Sequence, residues 1–194
     1  MITNNAVGKI IVIVAPSGTG KSTLIDRLKK EISDLKWSVS FTTRPIRTGE
    51  TDGVNYFYID KEKFETMIAK NEFVEWAQVH SNYYGTSKQF VANGIAKGDY
   101  LLFDLDVQGA DAIKNHFANQ AQIIFITPPS IEELEKRLRG RGTESEETIQ
   151  LRVSNAKHEL TRRDDYDFCV LNDDVDRAYI TLKKIVLKIM GRVT

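Results

Sequence analysis

The sequence predicts an α/β fold: a parallel five-stranded sheet flanked by helices, with a small mixed α/β subdomain inserted between two core strands. Three observations predict it. Short apolar runs alternate with amphipathic stretches along the chain, as in a parallel sheet joined by crossover helices. The first run, Ile10-Ile11-Val12-Ile13-Val14, leads into Ala15-Pro16-Ser17-Gly18-Thr19-Gly20-Lys21-Ser22, a Gly-rich loop set between strand and helix. The stretch between the second and third core strands far exceeds the roughly 30 residues of a βαβ unit, so it forms a unit of its own.

The loop has a definite chemistry. Successive backbone N–H groups turn inward as a nest for anions, and the helix that follows adds its positive end. Lys21 supplies a point charge for the outer phosphates of a nucleoside triphosphate. Ser22 offers a hydroxyl for Mg²⁺, and Thr23 follows it into the helix. Ala15 stands where the general G-x-x-x-x-G-K-[ST] pattern begins with Gly, so the loop is expected to enter with negative φ there.

The elements follow in order. Leu24, Leu28 and Ile32 mark the first helix, and Trp37-Ser38-Val39-Ser40-Phe41 a second strand. The insertion begins at Thr42-Thr43-Arg44-Pro45-Ile46-Arg47, where Pro45 keeps Arg44 extended. Gly49 to Gly53 reads as a polar turn region and Asn55 to Ile59 as a strand. Asp60 caps a helix striped by Phe64, Met67 and Ile68. Phe73 to Val79 forms a strand carrying Glu75. Ser81 to Thr86 reads as a turn, and a helix over about 88–96 ends near Gly98. Tyr100 to Phe103 is the third core strand, followed by Asp104-Leu105-Asp106 and a helix over about 107–117. Gln122 to Ile126 is the fourth. Ser130 caps a helix with Ile131, Leu134 and Leu138 on one face. A cationic, Gly-punctuated run, Arg137 to Thr143, precedes a long polar helix over about 145–163. The acidic run Glu144 to Glu147 suits that helix's first turn. Phe168 to Leu171 is the fifth core strand, with Cys169 expected to be buried in it. Ala178, Leu182, Ile185 and Ile189 mark the last helix.

Composition narrows the classes. The chain has 194 residues with 27 basic and 27 acidic side chains. Zero net charge argues against wholesale nucleic-acid or anionic-membrane binding. One cysteine excludes an internal disulfide and suits a reducing compartment. His80, His116 and His158 show no metal-ligand spacing. No apolar run approaches the roughly 20 residues of a membrane span, and the start lacks the pattern of a signal peptide. The cytoplasm is the expected setting, with a monomer or a homodimer equally compatible.

The insertion carries Arg44, Arg47, Tyr56 and Tyr84, all suited to phosphate, although the two arginines could equally pair with surface carboxylates. An acceptor that is itself a phosphate explains why no Ser–His–Asp type of base is visible. A phosphate monoester, with a second pKa near ~6, is already largely a dianion at neutral pH and needs no base.

The motifs together resemble those of guanylate kinases, which move the γ-phosphate of ATP onto GMP. They are A-P-S-G-T-G-K-S at 15–22, S-V-S-F-T-T-R-P-I-R at 38–47, G-x-N-Y-F at 53–57, N-E-F-V-E-W-A at 71–77, N-Y-Y-G-T at 82–86, D-L-D-x-Q-G at 104–109, R-L-R-G-R-G-T at 137–143 and L-N-D-D at 171–174. The resemblance implies one domain: a core of about 1–42 and 99–194, a GMP-binding insertion of about 43–98, and a helical lid of about 139–152. It implies Mg²⁺ as cofactor, with ATP and GMP as substrates. Ser40, Arg44, Arg47, Tyr56 and Tyr84 would hold the GMP phosphate. Glu75 and Thr86 would read guanine, with Gly85 and Asp106 alongside. Asp104 would either orient Mg²⁺ through water or serve the GMP side. Arg137, Arg141 and Arg152 would close over the phosphates, and Asn172 and Asp173 would meet the adenine. Two other readings share these elements: a catalytically inactive protein-binding module of the same fold, and a small kinase acting on a phosphorylated sugar. The first should have lost Lys21 or the arginines, and the second should lack Glu75 and Thr86.

Overall fold

The computed structural model describes residues 8–79, 81–140 and 145–192. His80, Arg141, Gly142, Thr143 and Glu144 lie outside the described residues. In chain order, β1 (Lys9–Val14) leads to α1 (Lys21–Glu31), β2 (Leu35–Trp37), β3 (Phe41–Thr42), β4 (Phe57–Tyr58), α2 (Lys61–Ala69), β5 (Phe73–Val79), β6 (Asn82–Ser87) and α3 (Lys88–Ala96). The chain continues through β7 (Tyr100–Asp104), α4 (Val107–Phe117), β8 (Ala121–Thr127), α5 (Ile131–Arg139), α6 (Glu146–Leu160), β9 (Phe168–Leu171) and α7 (Val175–Ile189).

The core sheet runs in the order β2-β7-β1-β8-β9, and every pair in it is parallel. β1 is central and buried on both faces, which is why it reads as an unbroken apolar run. Ile11 and Ile13 pack with Leu24, Leu28, Leu182 and Val186 of α1 and α7. Ile10, Val12 and Val14 pack on the other face with Val91, Ala110 and Ile113 of α3 and α4. Each of these Val, Leu and Ile side chains contributes about 1.5–3 kcal/mol by leaving water. The ends of β1 and β7 are therefore rigid mounts for the loops they feed.

The second sheet is mixed, in the order β4-β3-β6-β5, with β3 parallel to β4 and antiparallel to β6. Aromatic rings fill it. Phe64 stacks on Phe73 at 4.4 Å and on Tyr83 at 5.2 Å, and Phe41 lies 4.9 Å from Phe57.

Four sequence expectations are corrected. The strand expected over 37–41 is two strands. The Ser38 N–H still donates to Leu102 of the core sheet, while the Ser40 carbonyl accepts from Phe57 of the second. Residues 38–40 carry the chain from one sheet to the other and set Ser40 on the border. The strand expected over 55–59 shrinks to Phe57–Tyr58. Side chains compete with the ladder there: Asn55 accepts from the Thr51 N–H and Asp52 from the Tyr58 N–H. Residues 82–86, expected as a turn, belong to β6, because the register with β5 gives each a cross-strand partner. Cys169 is exposed. β9 is an edge strand, so alternation that buries Val170 turns its neighbour to an uncovered face.

Candidate active site

The helix that opens on the Gly-rich loop is left open to an anion. α2 to α7 are each capped by a side chain, from Asp60, Ser87, Asp106, Ser130, Ser145 and Asp174 respectively. α1 starts at Gly20 with no side-chain cap and no acidic residue in its first turn. Its free N–H groups and positive end are available to phosphate. The loop itself is braced from inside. Thr19 is fully buried and its hydroxyl donates to the Pro16 carbonyl at 2.7 Å. Asn172 donates its side-chain amide to the Thr19 carbonyl at 2.6 Å. Gly18 and Gly20 hold φ of 90° and 93°, and a Cβ on Gly20 would lie 2.7 Å from that amide nitrogen. Ala15 is not among the residues of positive φ, as its side chain requires.

Residues 15–23 line a cavity of about 330 Å³, with Asp106 and Glu159 opposite. Lys21 is held at its edge by an ion pair with Asp104 and by donating to the Leu105 carbonyl at 3.2 Å. Arg152 of α6 donates to the Ser17 hydroxyl. Arg137 of α5 donates to the Asn172 carbonyl at 3.0 Å and to Glu133 at 3.1 Å.

A second cavity, of about 480 Å³, lies between the two sheets. Ser40, Tyr56, Glu75, Tyr84, Gly85, Asp104 and Asp106 line it. Asp106 belongs to both cavities, so they adjoin. Glu75 is the chemically distinctive group. Burial pushes its carboxyl above the usual range, with the Asp106 charge adding to the rise and the Thr86 hydroxyl opposing it. That hydroxyl, on a fully buried residue, donates to Glu75 at 2.6 Å. Thr86 thus orients Glu75 from behind, and its one proton is already committed.

The phosphate-suited groups gather around Tyr56 and Tyr84, which line the same cavity. Arg44 lies 5.5 Å from the Tyr56 ring and 5.7 Å from the Tyr58 ring. The Tyr56 and Tyr84 rings meet edge-on at 5.8 Å. One Arg44 nitrogen spans both oxygens of Glu50, at 2.8 and 3.0 Å. Glu50 also accepts from the Tyr58 hydroxyl and the Arg47 backbone N–H, each at 2.8 Å. These donors, Arg44 foremost, pull its carboxyl down to about 2. Glu50→Gln should therefore loosen Arg44 and raise KM for the acceptor about tenfold, with little change in kcat. Linkage gives a second readout. A depressed native pKa adds stability above the ordinary carboxylate pKa, lost as pH falls toward about 2. The melting temperatures of wild type and Glu50→Gln should converge over that interval.

Comparison with known proteins places this geometry. Residues 7–189 match the family model described as guanylate kinase. The chain belongs to the guanylate kinase family. It is 46% identical over 178 residues to a guanylate kinase of Rickettsia prowazekii, covering 92% of this chain and 88% of the relative. It is 46% identical over 180 residues to one from Caldanaerobacter subterraneus, covering 93% and 87%. It also resembles the crystal structure of guanylate kinase from Anaplasma phagocytophilum, with a TM-score of 0.71 and 29% identity over 97% of this chain and 89% of that one.

For a member of the guanylate kinase family, most expected site residues fall in these two cavities, but not all. The Arg47 side chain is exposed, and only its backbone N–H reaches the Arg44–Glu50 cluster. Asn172 spends its side chain on the phosphate loop, and Asp173 turns outward to Arg177 at 3.1 Å. Arg141 lies outside the described residues. Sequence reading passed over Glu50 and Glu159. Glu50 is the only acidic residue from Thr42 to Thr51, which marks it as the partner for Arg44. Glu159 falls seven residues after Arg152, two helical turns along the same face.

Proposed function

We infer that the chain is an ATP:GMP phosphotransferase, giving ADP and GDP, with ATP in the phosphate-loop cavity and GMP in the larger one. The carrying observation is the adjacency of an uncapped, anion-ready helix start and a separate cavity lined by the buried Glu75 carboxylate and by Tyr56 and Tyr84, with Arg44 beside the Tyr56 ring. Neither competing reading suits it. The binding module should lack Lys21, and the sugar kinase would have no use for Glu75 backed by Thr86. We assign the donor side to the core, about 1–42 and 99–194, the acceptor side to the insertion of about 43–98, and the covering arginines to the lid of about 139–152.

Residue roles follow from the chemistry. The loop N–H groups and Lys21 neutralise the donor phosphates. Lys21 would exchange Asp104 for phosphate oxygens when ATP arrives. Ser40, Arg44, Tyr56 and Tyr84 hold the GMP phosphate, with Arg44 kept in place by Glu50. Glu75 accepts from guanine N1–H and the 2-amino group. Arg152 and Arg137 would stabilise the equatorial charge that grows during transfer.

Mg²⁺ fits the donor set. Ser22, Asp104 and Asp106 offer hard oxygen ligands around the donor cavity. Among the described residues no group of three or more His, Cys, Asp or Glu forms a metal cage, so the ion would draw on phosphate and water. When bound it would neutralise charge on the transferring phosphoryl group. No helix among the described residues is long and apolar enough to cross a membrane.

The test is ADP release from Mg-ATP against GMP, AMP, CMP, UMP, a phosphorylated sugar and no acceptor. Turnover confined to GMP is expected. Preference for any other acceptor would overturn the roles of Glu75 and Thr86.

A further inference from the structure

We propose that Glu159 makes the donor site selective for a nucleoside triphosphate carrying its divalent cation over the bare triphosphate. The inference rests on the donor-site assignment above. With Asp106, Glu159 sets a carboxylate in a cavity whose Ala15 to Thr23 loop is built for anions. It stands on the same face of α6 as Arg152, which reaches Ser17 of the loop. The adjoining face of α6 is fixed, because Ile149, Val153 and Ala156 pack with Leu134 and Leu138 of α5. The helix therefore cannot roll to remove Glu159 from the cavity without opening that core.

The carboxylate accepts no hydrogen bond among the described residues, and its facing charges are Asp106 and Lys21, with His158 beside it on its own helix. Lys21 is already paired with Asp104. Among the described residues lining the donor cavity the charged side chains are Lys21, Asp106 and Glu159, one positive and two negative, with Asp104 paired to that lysine and Arg152 reaching Ser17. A bare triphosphate would add its full negative charge beside an unmatched carboxylate. A divalent cation riding on the phosphates reverses the sign of that encounter, and Glu159 can then accept from water held by the ion. Like charges a few ångströms apart in a partly screened site change affinity roughly ten- to a hundredfold.

Asp106 faces the same cavity but also caps α4, accepting from the Gly109 N–H at 2.8 Å, so altering it would disturb a helix. Glu159 has no such second duty, which makes it the clean position to test. The measurement is calorimetric binding of ATP to the whole protein, once with Mg²⁺ and once in excess chelator. The readout is the ratio of the metal-free Kd to the Mg²⁺ Kd. Glu159→Gln is expected to shrink this ratio about tenfold, and Glu159→Ala, the second neutral variant, should do the same should the first fail to fold. Glu159→Asp should keep most of the ratio. Glu147→Gln, which removes an exposed charge from the first turn of the same helix, should leave it unchanged. An unaltered ratio in the neutral variants overturns the proposal, even where both affinities shift together. An equal effect from Glu147→Gln overturns it as well, because that would reflect the general field. Failure of the wild type to bind either form of ATP would instead overturn the donor-site reading beneath it.

Discussion

Lys21→Met is expected to lower kcat about a thousandfold while leaving the fold intact. Methionine keeps the length and apolar stem of the side chain, so packing at the start of α1 should survive. What goes is a mobile positive charge that the loop backbone cannot replace. N–H groups are fixed dipoles, whereas the ammonium can follow the γ-phosphoryl as it moves from donor to acceptor. In the structure Lys21 rests on Asp104 and the Leu105 carbonyl, at the junction of the two cavities. That resting place is itself informative. Asp104 ends β7, a strand buried between β1 and β2, so it is a rigid post that stores the lysine beside its working position. The ion pair is partly open to water, with side-chain exposures of 20% and 31%. Losing it should therefore cost little stability. A steady-state assay with saturating ATP and GMP, beside a thermal melt, separates the two effects. A loss of kcat below tenfold at an unchanged melting temperature would mean that the loop dipoles alone carry the charge.

The core was legible because its three central strands, β7, β1 and β8, are buried on both faces. Ile10 to Val14 is apolar without interruption, and no helix or surface strand of that length needs to be. Helix starts were legible wherever a short polar side chain does one local job, as Asp60 and Ser130 do. The insertion was harder to read, because its strands are short and their partners lie far apart in the chain. Phe41 pairs with Gly85, and no local pattern announces that pairing. Tyr83 and Tyr84 sit among turn-forming residues, yet cross-strand partners on β5 decide their conformation. The site divides in the same way. Gly18, Gly20, Lys21 and Ser22 are contiguous and declare their chemistry by spacing. Glu75 and Thr86 meet only because β5 and β6 are antiparallel and in that register. The resemblance supplied both residues, and only the structure shows that the hydroxyl serves the carboxylate. Glu50 went unread because its role is to hold another side chain, and such a role carries no motif.

Glu75→Gln is expected to cut kcat/KM for GMP by roughly a hundredfold or more and to narrow the preference over AMP by at least as much. The carboxylate can accept from both guanine N1–H and the 2-amino group. Glutamine offers one acceptor and sets an N–H donor against the other guanine donor, leaving buried groups unpaired. Against adenine the balance reverses, because N1 is a bare acceptor that repels a carboxylate and welcomes an amide N–H. Competing GMP and AMP in one assay measures the change directly. The pH dependence follows from burial. Glu75 titrates above the usual carboxylate range, so GMP recognition should weaken on acidification before an ordinary carboxylate would protonate. The stability effect has the opposite sense. Between the ordinary pKa and the raised one, the native state holds a proton that the unfolded chain has released. Native stability contributed by this group therefore falls as pH rises through that interval. Glu75→Gln escapes that loss, so its melting temperature should match the wild type in acid and exceed it near neutrality. Activity and stability would move in opposite directions on one substitution, as expected for a buried charge kept for recognition. A variant that lost stability near neutrality while keeping its GMP preference would show that Glu75 serves the fold and not the base.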